Sequence, residues 1–195
     1  MKTLIIAASK VDQDQLRRLV AWADRTIASD GGYDHAQAIG HRPDIVVGDQ
    51  DSVQATIEPE ELYPQEKDFT DLEAALAIAA KDSDEIIIVG ATGGRQDHFL
   101  NAIMQLFSYA IPIRLIDDQN EIWVETGAFS FWSDYPYFSL IPLDPVTLSI
   151  RGAKYELTDR LVEPNKSLTI SNEPRGRVEV SFRQGRVIVV LSRDA

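Results

Sequence analysis

Leu4-Ile5-Ile6-Ala7-Ala8, then Leu16, Leu19, Val20 and Ala23, then Thr26-Ile27-Ala28: this opening stretch decides the fold. An apolar run, a set of apolar residues at helical spacing and a second apolar run read as strand, helix and strand. The alternation continues through Ile45-Val46-Val47, the Ala-rich segment Leu72 to Ala80, and the run Ile86 to Val89. Leu100, Ile103 and Phe107 then share a helical face, and Ile113 to Ile116 is the next apolar run. Strands that are apolar without alternation are buried on both faces, and helices between them supply the cover. The expected fold class is therefore α/β, with a parallel sheet in an N-terminal domain.

Beyond Asn120 the helical period disappears. Val146 to Ile150, Val178 to Phe182 and Val187 to Leu191 are strand-like runs punctuated by Gly, Pro, Asn and Asp. The last two flank Arg183 to Arg186, with Gly185 inside, which is a hairpin signal. A boundary near 118–125 follows. It leaves residues 1–120 as an α/β domain and 121–195 as a small all-β domain, too short to bury a generous core without a neighbour.

Composition narrows the chemistry. A formal net charge of −12 and a pI near 4.6 argue against a nucleic-acid surface, which needs clustered Lys and Arg. The chain has no Cys, so thiolate nucleophiles, disulfides and Cys-ligated zinc or iron–sulfur sites are excluded. No apolar run reaches membrane-spanning length, and the run after Met1 is too short for a signal peptide. The expectation is a cytoplasmic protein without membrane or nucleic-acid partners.

In open parallel sheets, ligands bind outside the carboxyl ends of the strands. Three strands run into acidic, glycine-bearing loops there: Ser29-Asp30-Gly31-Gly32, Gly48-Asp49-Gln50-Asp51-Ser52, and Gly90-Ala91-Thr92-Gly93-Gly94-Arg95-Gln96-Asp97-His98. Asp-Gly-Gly alone is an ordinary turn. Asp49 and Asp51 repel unless a cation or hydrogen bonds compensate them, and Mg²⁺ is the natural hard cation, although a solvated acidic loop fits the pair equally. Thr92 to Gly94 lets backbone amides approach a phosphate before a helix begins, and Arg95 supplies a planar cationic fork. The alternative for that loop is a strand-to-helix turn with Asp97 as the cap. A fourth segment, Lys67-Asp68-Phe69-Thr70-Asp71-Leu72-Glu73, has capping-box spacing at Thr70 and Glu73, and Asp71 lies in the first helical turn. The three His residues are isolated from one another in sequence and carry no metal or triad pattern.

Together these four segments resemble, in order, the motifs of the thiamine pyrophosphokinase family: its Asp-Gly-Gly turn, its GDxDS metal loop, its KDxTDxE segment and its TGGRxDH loop. Asp117-Asp118-Gln119-Asn120, Ser139 to Pro142, Gly152 to Leu157 and Ser171-Asn172-Glu173 extend the likeness through the second half. Ser29 stands where the family usually has Ala, and Gln50 where it often has an aromatic; the carboxylates are intact. The resemblance implies a β-sandwich C-terminal domain and pyrophosphoryl transfer from ATP to thiamine, giving thiamine diphosphate and AMP. It implies Asp49, Asp51 and Asp71 as Mg²⁺ ligands, Asp97 as a ligand or as the group orienting the attacking hydroxyl, and Asp30, Gly31, Thr92, Gly93, Gly94 and Arg95 as the ATP-binding set. It places Ser171 and Asn172 near thiamine, in a cleft at the subunit interface of a homodimer. Two other readings stay open on the residues alone: a metal-dependent sugar-nucleotide glycosyltransferase, and a nucleotide sensor without chemistry.

Overall fold

The computed structural model describes residues 1–48, 61–62 and 68–194, with 61–62 described as backbone only. The chain divides into two compact units, Met1–Asp118 and Gln119–Ala195.

In the first unit, six strands form a wholly parallel array: β1 (Lys2–Ile6), β2 (Arg25–Ser29), β3 (Ile45–Gly48), β4 (Glu61–Leu62), β5 (Glu85–Val89) and β6 (Ile113–Ile116). They lie in the order β4-β3-β2-β1-β5-β6. The chain builds outward from β1 to β4, then returns to the other side of β1, so the order reverses between β1 and β5. Such a reversal opens a crevice at the strand ends, because the connections leaving the two strands go to opposite sides.

Helices α1 (Gln13–Trp22), α2 (Gly32–Ala38), α3 (Asp71–Ala79) and α4 (Gln96–Leu106) connect the strands. Leu4, Ile6, Ile87 and Val89 pack with Leu16 of α1 and Ala36 of α2. Ile5 and Ile88 point the opposite way and are also fully buried, which is why these strands show no polar alternation. Helix α3 lies against β1, β2 and β3. The α4 face differs from the expected one: Ala102, Ile103 and Leu106 are buried, whereas Leu100 is 61% exposed. At 100° per residue, roughly, Leu100 falls well away from the centre of that buried stripe.

The second unit is a β-sandwich, in agreement with the expected fold class. Strand β13 (Val187–Ser192) pairs antiparallel with β7 (Asn120–Glu125) and β9 (Tyr137–Pro142). The other sheet has the order β11 (Leu157–Val162), β10 (Val146–Ala153), β12 (Pro174–Phe182), β8 (Phe129–Phe131). Phe138, Leu140, Val189 and Leu191 from the first set meet Leu148, Ile150, Val178 and Val180 from the second in one core. The ring of Trp123 meets that of Phe131 edge-on at 5.8 Å, while Trp132 is 74% exposed.

The anticipated hairpin between residues 178–182 and 187–191 does not form. β12 pairs with β10 and β8, and β13 with β7 and β9, so the segment around Gly185 crosses from one sheet to the other. Their burial explains the difference. Strand β12 alternates exposed and buried residues, while β13 is buried almost throughout and occupies the centre of its own set. Among the described residues no helix is long and apolar enough to cross a membrane.

Candidate active site

The switch point between β1 and β5 opens into a cleft of about 440 Å³. Its lining includes Ala7, Ala8 and Ser9 after β1, Ser29 at the end of β2 and Asp30 after it, and Gly90 and Ala91 after β5. Phe69 to Leu72 at the start of α3, and Asp97, His98, Asn101 and Ala102 on α4, complete it. Three of the sequence-predicted carboxylates, Asp30, Asp71 and Asp97, thus converge on one space from three separate segments.

Each is held there by local structure. Asp30 has φ 51°, a left-handed conformation that Asp tolerates better than most residues. Its N–H continues the β2–β3 pairing by donating to the Val47 carbonyl at 2.9 Å. Asp71 follows Thr70, whose hydroxyl caps α3 by accepting from the Glu73 N–H at 3.2 Å. The Glu73 carboxylate accepts in return from the Thr70 N–H at 3.2 Å, closing a full capping box. Asp97 is not the cap of α4, as the sequence alternative had it. Arg95 occupies the cap position, and Asp97 sits one residue inside the helix.

Arg95 and Asp97 are paired. Nε and a terminal nitrogen of the guanidinium donate to the two carboxylate oxygens at 3.1 and 2.5 Å, and the His98 N–H donates to the carboxylate at 3.0 Å. The Arg95 hydrogen bond is the main cause that brings the Asp97 carboxyl down to about 2, against desolvation, and the His98 amide adds to the lowering. A carboxyl whose folded pKa lies below its unfolded value stabilises the fold above the unfolded value, and loses that contribution as pH falls through the folded one. Carboxylate NMR should therefore show Asp97 titrating near 2, and Arg95→Gln should move the midpoint toward the ordinary value near 4. Both side chains are well exposed, so the melting temperature should change little.

Other expected site residues lie elsewhere. Thr92, Gly93, Gly94 and Arg95 form the loop leading from the cleft to α4 and are not among its lining residues, and neither is Gly31. Gly94 does approach the cleft wall: a Cβ there would come within 3.0 Å of the Ser9 hydroxyl. Asp49, Gln50, Asp51, Ser52 and Lys67 lie outside the described residues. In the second unit, the Asn172 side chain is buried, accepting from the Tyr155 and Glu173 N–H groups and donating to the Tyr155 carbonyl. Ser171 is exposed and has φ 54°.

Sequence reasoning passed over Ala7 to Ser9, Phe69, His98 and Asn101. The strand-end rule that singled out the other loops applies equally to Ser9. Asn101 is one helical turn beyond Asp97 and so shares its face. His98, set aside as isolated in sequence, lines the cleft from the first turn of the same helix.

A doubly wound sheet with an acidic, glycine-edged cleft at its switch point belongs to the α/β class of nucleotide-handling enzymes. Residues 16–116 match the family profile described as the thiamin pyrophosphokinase catalytic domain, and residues 118–187 match its vitamin B1 binding domain. The chain belongs to the thiamine pyrophosphokinase family. It is 35% identical over 175 residues to the thiamine pyrophosphokinase of Bacillus subtilis (strain 168), covering 85% of this chain and 82% of that protein. The crystal structure of the Geobacillus thermodenitrificans enzyme superposes with a TM-score of 0.89 at 30% identity, covering 100% of this chain and 99% of that one. The Bacillus subtilis crystal structure gives 0.88 at 31%, with both chains fully covered. The activity is that of a thiamine pyrophosphokinase, a transferase that uses ATP, and the glycosyltransferase and sensor readings are not favoured.

Proposed function

We propose that the cleft at the β1/β5 switch point binds the triphosphate of ATP and carries out transfer of its β,γ-pyrophosphoryl group to the hydroxyl of thiamine. The supporting observation is the convergence of Asp30, Asp71 and Asp97 around one space at the strand ends. In the reaction the thiamine hydroxyl oxygen forms a bond to the β-phosphorus, the bond from that phosphorus to the α,β-bridging oxygen breaks, and AMP leaves. The hydroxyl proton passes to a nearby base or to water. Reactions of this kind depend mostly on alignment and on charge stabilisation.

Among the described residues no group of three or more acidic or histidine side chains could by itself hold a metal ion. Mg²⁺ is the proposed cation, a hard ion that takes carboxylate, water and phosphate oxygens. Asp71 would hold it from the cleft, with Asp49 and Asp51 as the other proposed ligands. When bound, it offsets charge on the phosphate oxygens. Arg95 would exchange its bond to Asp97 for a phosphate, and Asp97 would then be available to orient the hydroxyl. The amides of Thr92 to Gly94 would follow Arg95 onto the triphosphate, with Asp30 and Gly31 bordering the nucleotide.

Residues 1–120 are thus assigned to ATP and catalysis, and residues 121–195 to thiamine. The Asn172 amide is already occupied by backbone groups, so we assign it the shaping of the turn and give Ser171 the direct contact. Thiamine would sit at the interface of a homodimer in the cytoplasm, where ATP is abundant. Trp132, Leu161, Leu168 and Ile170 of the second unit are exposed and available to such a contact. Sedimentation at working concentration should give a two-fold dimer; a monomer that turns over thiamine would sink the shared site.

The deciding experiment is incubation with ATP, Mg²⁺ and thiamine. AMP and thiamine diphosphate should appear in equal amounts. ADP with thiamine monophosphate would mean attack at the γ-phosphorus, and would reject the proposed alignment.

A further inference from the structure

Glu73 does more than close a capping box. Its Oε2 accepts from the Thr70 N–H at 3.2 Å, while its Oε1 accepts from the Asn101 side-chain amide at 3.2 Å and from that of Gln105 at 3.0 Å. The Gln105 amide also donates to the Asn101 Oδ1 at 3.2 Å. A carboxylate only accepts, so both amide nitrogens must face it, and the orientation of the Asn101 and Gln105 amides follows from Glu73. Thr70 and Asn101 both line the cleft, on α3 and α4 respectively. Asp71 adjoins the first, and Asp97 lies one turn before the second.

We propose that Glu73 is a positioning residue for the transfer reaction, a half-buried brace that fixes the α3 wall carrying Asp71 against the α4 wall carrying Asp97. This inference rests on the assignment of those two carboxylates to the reaction. Capping alone needs only the Thr70 contacts, and the two bonds to α4 add nothing to it. They join two helices whose starts are distant in sequence, and the reacting groups hang from those starts. Burial pushes the Tyr109 phenol above its ordinary value and the Glu73 charge adds to the rise, so no second anion forms beside the brace in the working pH range. Misplacement of reacting groups by about an ångström can cost on the order of a hundredfold in rate, so a loosened brace should register in turnover.

Glu73→Gln separates bracing from capping. Gln at this position still accepts from the Thr70 N–H and keeps the capping box, but it turns an amide NH₂ toward the Asn101 and Gln105 amides. Turnover number should fall by roughly tenfold or more, with KM for ATP and thiamine changed by less than about threefold, as for an interaction expressed in the transition state. Adding Gln105→Glu returns an acceptor to the centre of the network and should restore most of the lost turnover. Gln105 is not among the cleft-lining residues. Hydrogen exchange at the Asp97 to Asn101 amides reads the brace without catalysis: it should quicken in Glu73→Gln and slow again in the double variant. Unchanged turnover and exchange in Glu73→Gln, or a double variant as impaired as the single one, would overturn the brace. If the unaltered protein forms no thiamine diphosphate, the assignment of the reaction fails, and unaltered exchange would then independently reject the brace.

Discussion

Asp71→Asn should lower thiamine diphosphate formation by roughly a hundredfold or more, the scale observed when one preorganised charged group is removed from an active site. Asn matches Asp in size and keeps most of its hydrogen-bonding capacity, so the change is nearly one of charge alone. Asp71 lies in the first turn of α3 beside the cap and lines the cleft. Losing an acid from a first turn costs about 0.3–1 kcal/mol through the helix dipole, far too little to unfold the domain. A large drop in turnover therefore accompanies a small drop in melting temperature. AMP release at saturating Mg²⁺, measured beside thermal melting without metal, tests both halves. Normal turnover would remove Asp71 from the metal site and reduce it to a helix-dipole residue. Asp51→Asn should show a comparable loss of turnover if the paired acids of that loop complete the site.

Gly90→Ala should produce the largest loss of stability. Gly90 has φ +73°, and a Cβ there would stand 2.3 Å from the Ala7 carbonyl oxygen and 2.9 Å from a methyl of Val11. Both the conformation and the contact exclude a side chain. The left-handed backbone costs about 1–2 kcal/mol for a non-glycine residue, and forcing atoms into packed backbone adds about 1–3 kcal/mol. The sum is a large share of the ordinary stability of a domain, about 5–15 kcal/mol. The displaced backbone also borders the cleft. The Ser9 N–H donates to the Gly90 carbonyl at 2.8 Å, so pushing Ala7 away moves the cleft wall. Gly93→Ala is the control: its φ is also +73°, yet nothing lies within 4 Å of the added carbon. Urea denaturation should place Gly93→Ala between the unaltered protein and Gly90→Ala. Equal midpoints for the two variants would mean that the β1 and β5 strand ends do not meet as described.

The parallel sheet was legible because burial on both faces leaves a local mark. Leu4 to Ile6 and Ile86 to Val89 carry unbroken apolar character, and nothing beyond the strand itself is needed to see it. The Thr70 and Glu73 capping box was legible for the same reason, since both partners lie within one helical turn. Pairing across the sandwich was not. The runs at 178–182 and 187–191 carry the local marks of a hairpin, and only competition among all the β-strands of that unit assigns them to different sheets. Leu100 shows the same limit, because helical spacing identifies a face but not which direction the sheet lies from it.

At the site, the sequence by itself determined the chemistry available: carboxylates and glycine turns after parallel strands, one Arg beside an Asp, and no thiol. These follow from residue identity and from the rule that strand ends face ligands. Only the tertiary structure decided which groups share a space. It brought Asp30, Asp71 and Asp97 to one cleft, added Ser9, His98 and Asn101, and set Arg95 against Asp97 beside it. It also gave Glu73 partners on another helix. The physical reason is range. A cap or a buried strand is fixed by neighbours within a few residues, whereas a site assembled across three crossovers exists only once the order β4-β3-β2-β1-β5-β6 has brought β1 and β5 side by side.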